Sequence, residues 1–275
     1  MIFFIFTDID GTLLDHVNYS YGNLKNYIHR IKNNASIIFN TSKTFEEIQI
    51  LNNNLELNYP FIVENGACIF FPQDYLDCKD KDDNYFRYKN YIGYKLTSLN
   101  SLKIYNLIYK FKKEYDFSFY SELSDKEISK ITNLTIKNAK TSKLRFFTNP
   151  IFWRDSKEKL RKFKSDVNSC YKSLMVLEGG RFIHISDNYN KALALKKFIK
   201  IIKPNLSNKF VTISLGDSEN DICMLESTDY ACIVKRGKYK LPLKKKKNIF
   251  FSKNEAPNGW KESLDFVFKM ENKNF

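Results

Sequence analysis

The apolar positions in the first part of this chain alternate between two patterns. Residues 2–6 form a continuous apolar run of strand length, which is typical of a parallel strand buried on both faces, and residues 36–40 predict a second buried strand. Residues 21–34 and 44–55 place apolar side chains at helical spacing, while 60–72 read as a strand, a turn and a returning strand. Strands and helices that alternate in this way predict a doubly wound α/β sheet.

A different pattern covers residues 79–186. Short strand-like and helical stretches are mixed here without long apolar runs, as in a small α+β domain. We expect a helix around 98–115, an extended stretch at 143–149 and a helix at 156–173. These residues are therefore interpreted as an inserted domain.

The first pattern returns near the end of the chain. Residues 190–202 are amphipathic, and strands are predicted at 210–217 and 230–234. The fold class predicted is α/β, with a Rossmann-like parallel-sheet core and an inserted α+β cap domain. The predicted boundaries are residues 1–78 and 187–275 for the core and residues 79–186 for the cap.

Composition narrows the class of protein. The chain has 275 residues, of which 43% are hydrophobic, so it is long enough for a sizeable core. Five cysteines without a CxxC pair argue against both a disulfide framework and a zinc site. The first residues lack a basic region, and their apolar run is too short for a signal peptide or a membrane span. We expect a cytoplasmic location and no membrane partner.

A formal charge of +14 raises the question of a nucleic-acid partner. Basic residues are spread along the chain, apart from the basic run at 235–248. We interpret that run as a solvated surface segment, and keep binding to nucleic acid or acidic partners as the alternative. The sequence is compatible with a monomer or a weak homodimer.

Carboxylates follow two of the predicted core strands. Asp8 and Asp10 follow the first strand, and residues two apart on a strand point to the same face. Asp217 and Asp221 follow a later strand, and parallel strands meet ligands at their carboxyl ends. Clustered carboxylates repel each other unless a cation compensates them, and Mg²⁺ prefers oxygen ligands. The sequence therefore predicts a Mg²⁺ site at this edge of the sheet.

Such a site suits phosphoryl transfer. Asp8 can attack phosphorus and form an aspartyl-phosphate, which divides hydrolysis into two displacements. Thr41 and Lys191 are expected to hold phosphate oxygens, and Asp10 to protonate the leaving alkoxide and later deprotonate water. Each residue alone has an ordinary structural explanation, but their joint occurrence favours a phosphatase.

These motifs resemble those of the haloacid dehalogenase-like phosphatases, Cof-like branch. "DIDGT" at 8–12, Thr41, Lys191 and "GDSEND" at 216–221 are similar to the four motifs of that family in their order. The resemblance implies that Asp8, Asp217 and the carbonyl of Asp10 bind Mg²⁺. It further places two residues in or beside the metal shell: Asn220 and Asp221.

The same resemblance implies substrate contacts from both predicted domains. Its expected substrate-binding residues are Ser42, Lys43, Asn65, Arg154, Arg181 and His184. Arg154 and Arg181 have the planar guanidinium that suits a carboxylate, although either arginine can equally be structural. His184 contacts the substrate or merely lines the cap.

Longer stretches at 41–44, 60–72, 146–187 and 216–235 resemble members of this branch that act on mannosyl-3-phosphoglycerate. The implied reaction releases phosphate and leaves mannosylglycerate, a compatible solute. Glucosyl-3-phosphoglycerate and sucrose phosphate are the alternative substrates, since no motif reads the orientation of a single sugar hydroxyl. A basic nucleic-acid-binding protein on the same fold is a more distant alternative.

Overall fold

A computed structural model of the chain describes residues 2–76, 83–205, 209–238, 241–244 and 247–273. The described residues divide into two compact units. The first, here called the core unit, comprises residues 1–42, 51–94 and 190–275, and the second, the cap unit, comprises residues 43–50 and 95–189. Most of the cap unit is therefore one continuous segment, which lies between the second and third segments of the core unit in sequence.

Thirteen strands are found among the described residues. In chain order they are β1 Ile2–Thr7, β2 Ala35–Phe39, β3 Phe61–Val63, β4 Cys68–Pro72, β5 Tyr85–Tyr88, β6 Tyr91–Lys95, β7 Phe117–Phe119, β8 Ile151–Trp153, β9 Met175–Glu178, β10 Ile183–Ser186, β11 Phe210–Gly216, β12 Tyr230–Lys235 and β13 Ile249–Glu255.

Nine α-helices accompany these strands in the same described ranges. They are α1 Leu24–Ile31, α2 Phe45–Leu55, α3 Ser101–Ile108, α4 Asp125–Thr132, α5 Ile136–Ser142, α6 Lys157–Cys170, α7 Lys191–Ile202, α8 Ile222–Leu225 and α9 Asn258–Met270.

The main sheet of the core unit is parallel, in the order β13-β12-β11-β1-β2. Strand β1 is apolar along its length because it is flanked by strands on both sides and covered by aromatic side chains such as Phe198 and Phe268. Its last residue, Thr7, aligns with Leu215 of β11. The predicted parallel α/β core is confirmed, and the carboxyl ends of β1 and β11 lie side by side.

Local signals near α2 and β3 are also found in the structure. Thr44 and Glu47 form the predicted capping box, in which the Glu47 carboxylate accepts from the Thr44 amide at 2.9 Å. Strands β3 and β4 pair antiparallel around the 3-10 turn Glu64–Gly66, as predicted for residues 60–72. Both features are set by residues close together in sequence.

Strands β5 and β6 differ in position from the predicted domain division. They pair antiparallel and extend the sheet β3-β4-β6-β5, so described residues 83–94 belong to the core unit. The sequence analysis placed them in the cap, and its boundary at 78/79 lies outside the described residues. Aromatic contacts such as Phe70–Phe86 join β5 to the apolar interior of the core unit, which the sequence pattern alone does not reveal.

The cap unit is an α+β module with its own apolar interior. Its antiparallel sheet has the order β7-β8-β10-β9. The buried side chains of α6, including Phe163, belong to the same apolar cluster as those of the sheet. The helix expected at 98–115 ends at Ile108 and continues as a 3-10 helix. Residues 143–149, expected to be extended, form no strand, since β8 begins only at Ile151.

Neither a disulfide bond nor a helix able to span a membrane is found among the described residues. No disulfide bond is formed by Cys68, Cys170, Cys223 or Cys232. No helix in the described ranges has both the length and the apolar composition needed to cross a membrane.

Candidate active site

Three aspartates form a buried cluster at the carboxyl ends of β1 and β11. Asp8 follows β1, Asp217 follows β11, and Asp221 ends the 3-10 turn Glu219–Asp221. One oxygen of each carboxylate lies within 4.8 Å of an oxygen of the other two. Their residues are 6%, 2% and 0% exposed, respectively. Buried carboxylates this close need positive charge beside them.

Lys191, the first residue of α7, supplies part of that charge. Its Nζ atom donates to Asp8 Oδ1 at 2.6 Å and to Asp221 Oδ1 at 2.7 Å, and the residue is 1% exposed. The ammonium group therefore bridges two of the three carboxylates, and α7 must begin at a fixed place for it to do so.

Two core-unit loops fix the beginning of α7. Asn40, which follows β2, donates its side-chain amide to the Lys191 carbonyl at 2.9 Å. Gly66 has φ +100°, and a Cβ atom there would lie 2.4 Å from the Asn190 carbonyl oxygen. Only glycine permits both this backbone conformation and this approach. The turn after β3 thus packs directly against the residue that precedes Lys191.

The pKa values of two of the three clustered carboxyl groups are shifted upward. Burial raises the pKa of Asp8 to about 8, against the opposing charge of Lys191. Burial likewise raises the pKa of Asp217 to about 6, with a further contribution from Asp221. For Lys191 burial lowers the pKa, but the carboxylates of Asp221 and Asp8 outweigh it and the net shift is upward. An additional cation would stabilise the ionised carboxylates of Asp8 and Asp217 and so lower the pKa of both groups.

The remaining predicted core residues lie near these strand ends in the chain. Asp10 lies on the turn that follows Asp8, and Thr41, which is 1% exposed, follows β2 with Ser42 after it. The backbone N–H of Asn65 donates to the Thr41 carbonyl at 2.8 Å, and Asn220 Nδ2 donates to Asn65 Oδ1 at 3.5 Å. Backbone contacts therefore connect the Thr41 and Asn65 loops.

Four predicted substrate-binding residues belong to the cap unit. Lys43 lies 3.5 Å from Glu47, one turn along the chain. Arg154 donates to Ser118 Oγ at 2.9 Å and lies 3.5 Å from Asp116, while Arg181 donates to the Thr132 carbonyl at 2.9 Å. Both arginines thus have contacts within the cap that explain them without a substrate.

His184, the fourth of these residues, is half-buried on β10. Its Nδ1 atom is inaccessible and has no hydrogen-bond partner among the described residues. Burial lowers the pKa of His184 to about 4, and the charge of Arg145 contributes to the shift. The ring is therefore neutral in the folded cap at neutral pH.

This shift predicts a pH-dependent stability. An unfolded histidine has a pKa near 6.5, so as pH falls from 7 to 5 the unfolded chain takes up a proton that folded His184 does not. The free energy of unfolding should fall by about 1–2 kcal/mol more in the wild type than in His184→Gln. Urea unfolding at both pH values measures this difference. His29→Gln should retain the wild-type loss, and an equal loss in His184→Gln would contradict the prediction.

The sequence analysis missed two residues that contact the cluster. Thr12 Oγ1 donates to Asp217 Oδ1 at 3.1 Å, and Arg236 Nη1 donates to Asp217 Oδ2 at 3.1 Å. Arg236 belongs to the basic run that was interpreted as a solvated surface segment, and its side chain is 41% exposed but also pairs with buried Asp217. It follows β12 directly, and β12 lies beside β11, so the order of the strands brings it to Asp217.

The parallel sheet, the inserted module and the acidic cluster place this protein in a known class of hydrolases. The model of the haloacid dehalogenase-like hydrolase family matches residues 5–260, so the chain belongs to that family. The family predicted from the motifs is confirmed.

Individual relatives agree with this assignment. The chain is 30% identical over 266 residues to a protein of Persephonella marina named glucosyl-3-phosphoglycerate/mannosyl-3-phosphoglycerate phosphatase, covering 94% of this chain and 95% of the relative. A protein of the same name from Methanococcoides burtonii is 31% identical, with 98% of each chain covered. The prediction that the chain is an enzyme of the phosphoric monoester hydrolase class is confirmed at this level.

A solved structure shows the same fold. A haloacid dehalogenase-like hydrolase from Bacteroides thetaiotaomicron aligns with a TM-score of 0.67 at 17% identity, covering 98% of this chain and 100% of that one. The alignment spans both the core and the cap in sequence.

Proposed function

We propose that this protein is a Mg²⁺-dependent phosphatase that hydrolyses mannosyl-3-phosphoglycerate to mannosylglycerate and phosphate. The observation that carries the proposal is the buried cluster in which Lys191 bridges Asp8 and Asp221 beside Asp217. The names of the two curated relatives support the choice of substrate. In this role the enzyme would act in the cytoplasm, in a step of compatible-solute synthesis.

The residues of the cluster fit a magnesium ion. Mg²⁺ takes oxygen ligands, and the buried carboxylates of Asp8, Asp217 and Asp221 offer three oxygens close together. Burial and the neighbouring carboxylates raise the pKa values of Asp8 and Asp217, and a bound cation would stabilise the ionised form of both groups. Asn220 and the carbonyl of Asp10 are further candidate ligands. When bound, the ion would offset the negative charge of the phosphate and the attacking carboxylate.

In the first displacement, an Asp8 oxygen attacks the phosphorus of the substrate. The new bond joins this oxygen to phosphorus, and the bond between phosphorus and the glycerate oxygen breaks. Asp10 donates its proton to the departing alkoxide, which leaves as mannosylglycerate. Thr41 and Lys191 hold the remaining phosphate oxygens through hydrogen bonds, so the charged transition state is oriented and partly neutralised.

The second displacement restores the enzyme. Asp10, now ionised, takes a proton from a water molecule, whose oxygen attacks the aspartyl-phosphate. The bond between phosphorus and the Asp8 oxygen breaks, phosphate leaves, and the Asp8 carboxylate is regenerated. Both half-reactions use the same two aspartates, which explains their placement two residues apart.

Six residues are proposed to bind the substrate: Ser42, Lys43, Asn65, Arg154, Arg181 and His184. Ser42 and Asn65 would contact the phosphate side, and Lys43 the glycerate or sugar side. Arg154 and Arg181 would bind the substrate carboxylate only by changing their present partners, Asp116 and the Thr132 carbonyl. These present contacts argue against a substrate-binding role for Arg154 and Arg181.

Glucosyl-3-phosphoglycerate is a second candidate substrate, favoured by the double name that both curated relatives have. It differs from the mannosyl compound in the orientation of one hydroxyl group. Discrimination between them depends on contacts to that hydroxyl, and a single such contact changes kcat/KM by a modest factor unless a buried polar group is left unpaired.

A panel of substrates tests the proposal. Phosphate release should be measured with Mg²⁺ on mannosyl-3-phosphoglycerate, glucosyl-3-phosphoglycerate and sucrose phosphate, and repeated with excess EDTA. We expect turnover of both phosphoglycerates, with the higher kcat/KM for the mannosyl compound, and loss of turnover with EDTA. Release from sucrose phosphate alone, or from none of the three, would refute the proposed substrate.

A further inference from the structure

Arg236 connects the acidic cluster to the surface of the core unit. Its Nη1 atom donates to Asp217 Oδ2 at 3.1 Å, and its Nη2 atom lies 3.2 Å from His16 Nε2. The side chain of Arg236 is 41% exposed, whereas that of Asp217 is 1% exposed. One end of this ion pair is therefore in contact with water and the other is buried.

The Asp217 carboxylate is held from two sides. Oδ1 accepts from the Thr12 hydroxyl, and Oδ2 accepts from Arg236, both at 3.1 Å. Thr12 is fully buried and lies on the turn that follows Asp8. Two donors on opposite oxygens fix the rotation of a carboxylate about its last side-chain bond, so Asp217 presents a defined edge to the other two aspartates.

We propose that Arg236 is a positioning residue that sets the affinity of the cluster for Mg²⁺ by orienting Asp217. The inference rests on the proposed metal site and adds a residue that the four motifs do not contain. Partners that hydrogen-bond to a metal-binding side chain fix its orientation, and their loss typically weakens metal binding by about 10-fold to 100-fold.

A positive charge beside a metal ligand also acts in the opposite direction. The charge of Arg236 repels a divalent cation, so removing it would strengthen binding if charge were the dominant effect. Water around the exposed guanidinium screens this repulsion, whereas the hydrogen bond to buried Asp217 is directional and little screened. The orienting effect of Arg236 on Asp217 should therefore outweigh its charge repulsion of the cation. When Arg236 is replaced, loss of orientation weakens Mg²⁺ binding, whereas loss of repulsion strengthens it.

A substitution at Thr12 separates the orienting effect from the charge effect. It holds the same carboxylate without a charge of its own, so Thr12→Val can act only through orientation. Arg236→Met removes both the hydrogen bond and the charge, and Arg236→Lys keeps the charge and one donor. Arg161→Met, at an exposed position on α6, is the matched control.

The test is isothermal titration of the full-length protein with Mg²⁺ in the absence of substrate. We expect Kd for Mg²⁺ to rise at least about tenfold in Arg236→Met and to rise in Thr12→Val. Arg236→Lys should lie closer to the wild type than Arg236→Met, and Arg161→Met should match the wild type. Thermal unfolding of each variant shows whether the fold is retained.

Tighter or unchanged Mg²⁺ binding in folded Arg236→Met would overturn the role of Arg236 and leave the proposed phosphatase intact. If that variant does not fold, Thr12→Val decides, since an unchanged Kd for Mg²⁺ in folded Thr12→Val would show that orientation of Asp217 does not set the affinity. A wild-type protein that binds no Mg²⁺ would overturn both this inference and the proposed metal site.

Discussion

Asp8→Asn is expected to abolish phosphate release, with a fall in kcat of at least about a thousandfold. An amide has nearly the same size as a carboxylate but is a poor nucleophile, so the covalent step should stop. The carboxylate of Asp8 is not needed to keep β1 in place, because that strand is held by its pairing with β2 and β11. Steady-state phosphate release and circular dichroism together measure activity and fold.

The covalent intermediate gives a more direct test of the same residue. Acid quenching during turnover should trap a phosphorylated wild-type protein, and hydroxylamine should cleave its acyl-phosphate bond. No phosphoprotein should form with Asp8→Asn. Asp74→Asn changes an exposed aspartate of the same unit and should behave as the wild type. Substantial turnover in Asp8→Asn would require a different nucleophile.

Lys191→Met should lower both the stability and the activity of the protein. The substitution keeps a long side chain but leaves Asp8 and Asp221 buried without the ammonium group that now lies 2.6 Å and 2.7 Å from them. Removing one partner of a buried ion pair typically costs about 3–5 kcal/mol of unfolding free energy. Urea unfolding in Mg²⁺-free buffer measures this loss, and added Mg²⁺ should restore part of it.

Lys196→Met supplies the control for this variant. Lys196 lies on the same helix, α7, but is exposed, so its replacement should change stability by no more than about 0.5 kcal/mol. A loss in Lys191→Met no greater than in Lys196→Met would mean that the buried ammonium group does not compensate the carboxylates.

Local patterns in the sequence predicted the parts of the structure that depend on near neighbours. The apolar run at 2–6 became β1, and the Thr44–Glu47 capping box begins α2. The position of Asp8 at the end of a buried strand also follows from the residues alone. In each case the physical signal, burial on both faces or a cap four residues wide, is contained in a short stretch of chain.

Non-local contacts could not be predicted in the same way. Arg236 meets Asp217 only because β12 lies beside β11, and nothing in the run at 235–248 marks one basic residue as different from the others. The assignment of β5 and β6 to the core unit likewise depends on the pairing of β6 with β4 and of β5 with β6, and a mixed local pattern does not specify the first of these. The substrate-binding roles of Arg154 and Arg181 were inferred from the family resemblance alone. In the structure both side chains donate to other residues of the cap unit.

The strand order of the core sheet has a consequence for how the protein folds as it is synthesised. Strand β1 is synthesised well before its partner β11, which begins more than two hundred residues later, at Phe210. The intervening segment 95–189 has its own apolar interior and can fold while β1 still lacks that partner. Contacts this distant in sequence form slowly. Until β11 is made, the edge of β1 that pairs with it is therefore unpaired in the nascent chain and open to aggregation.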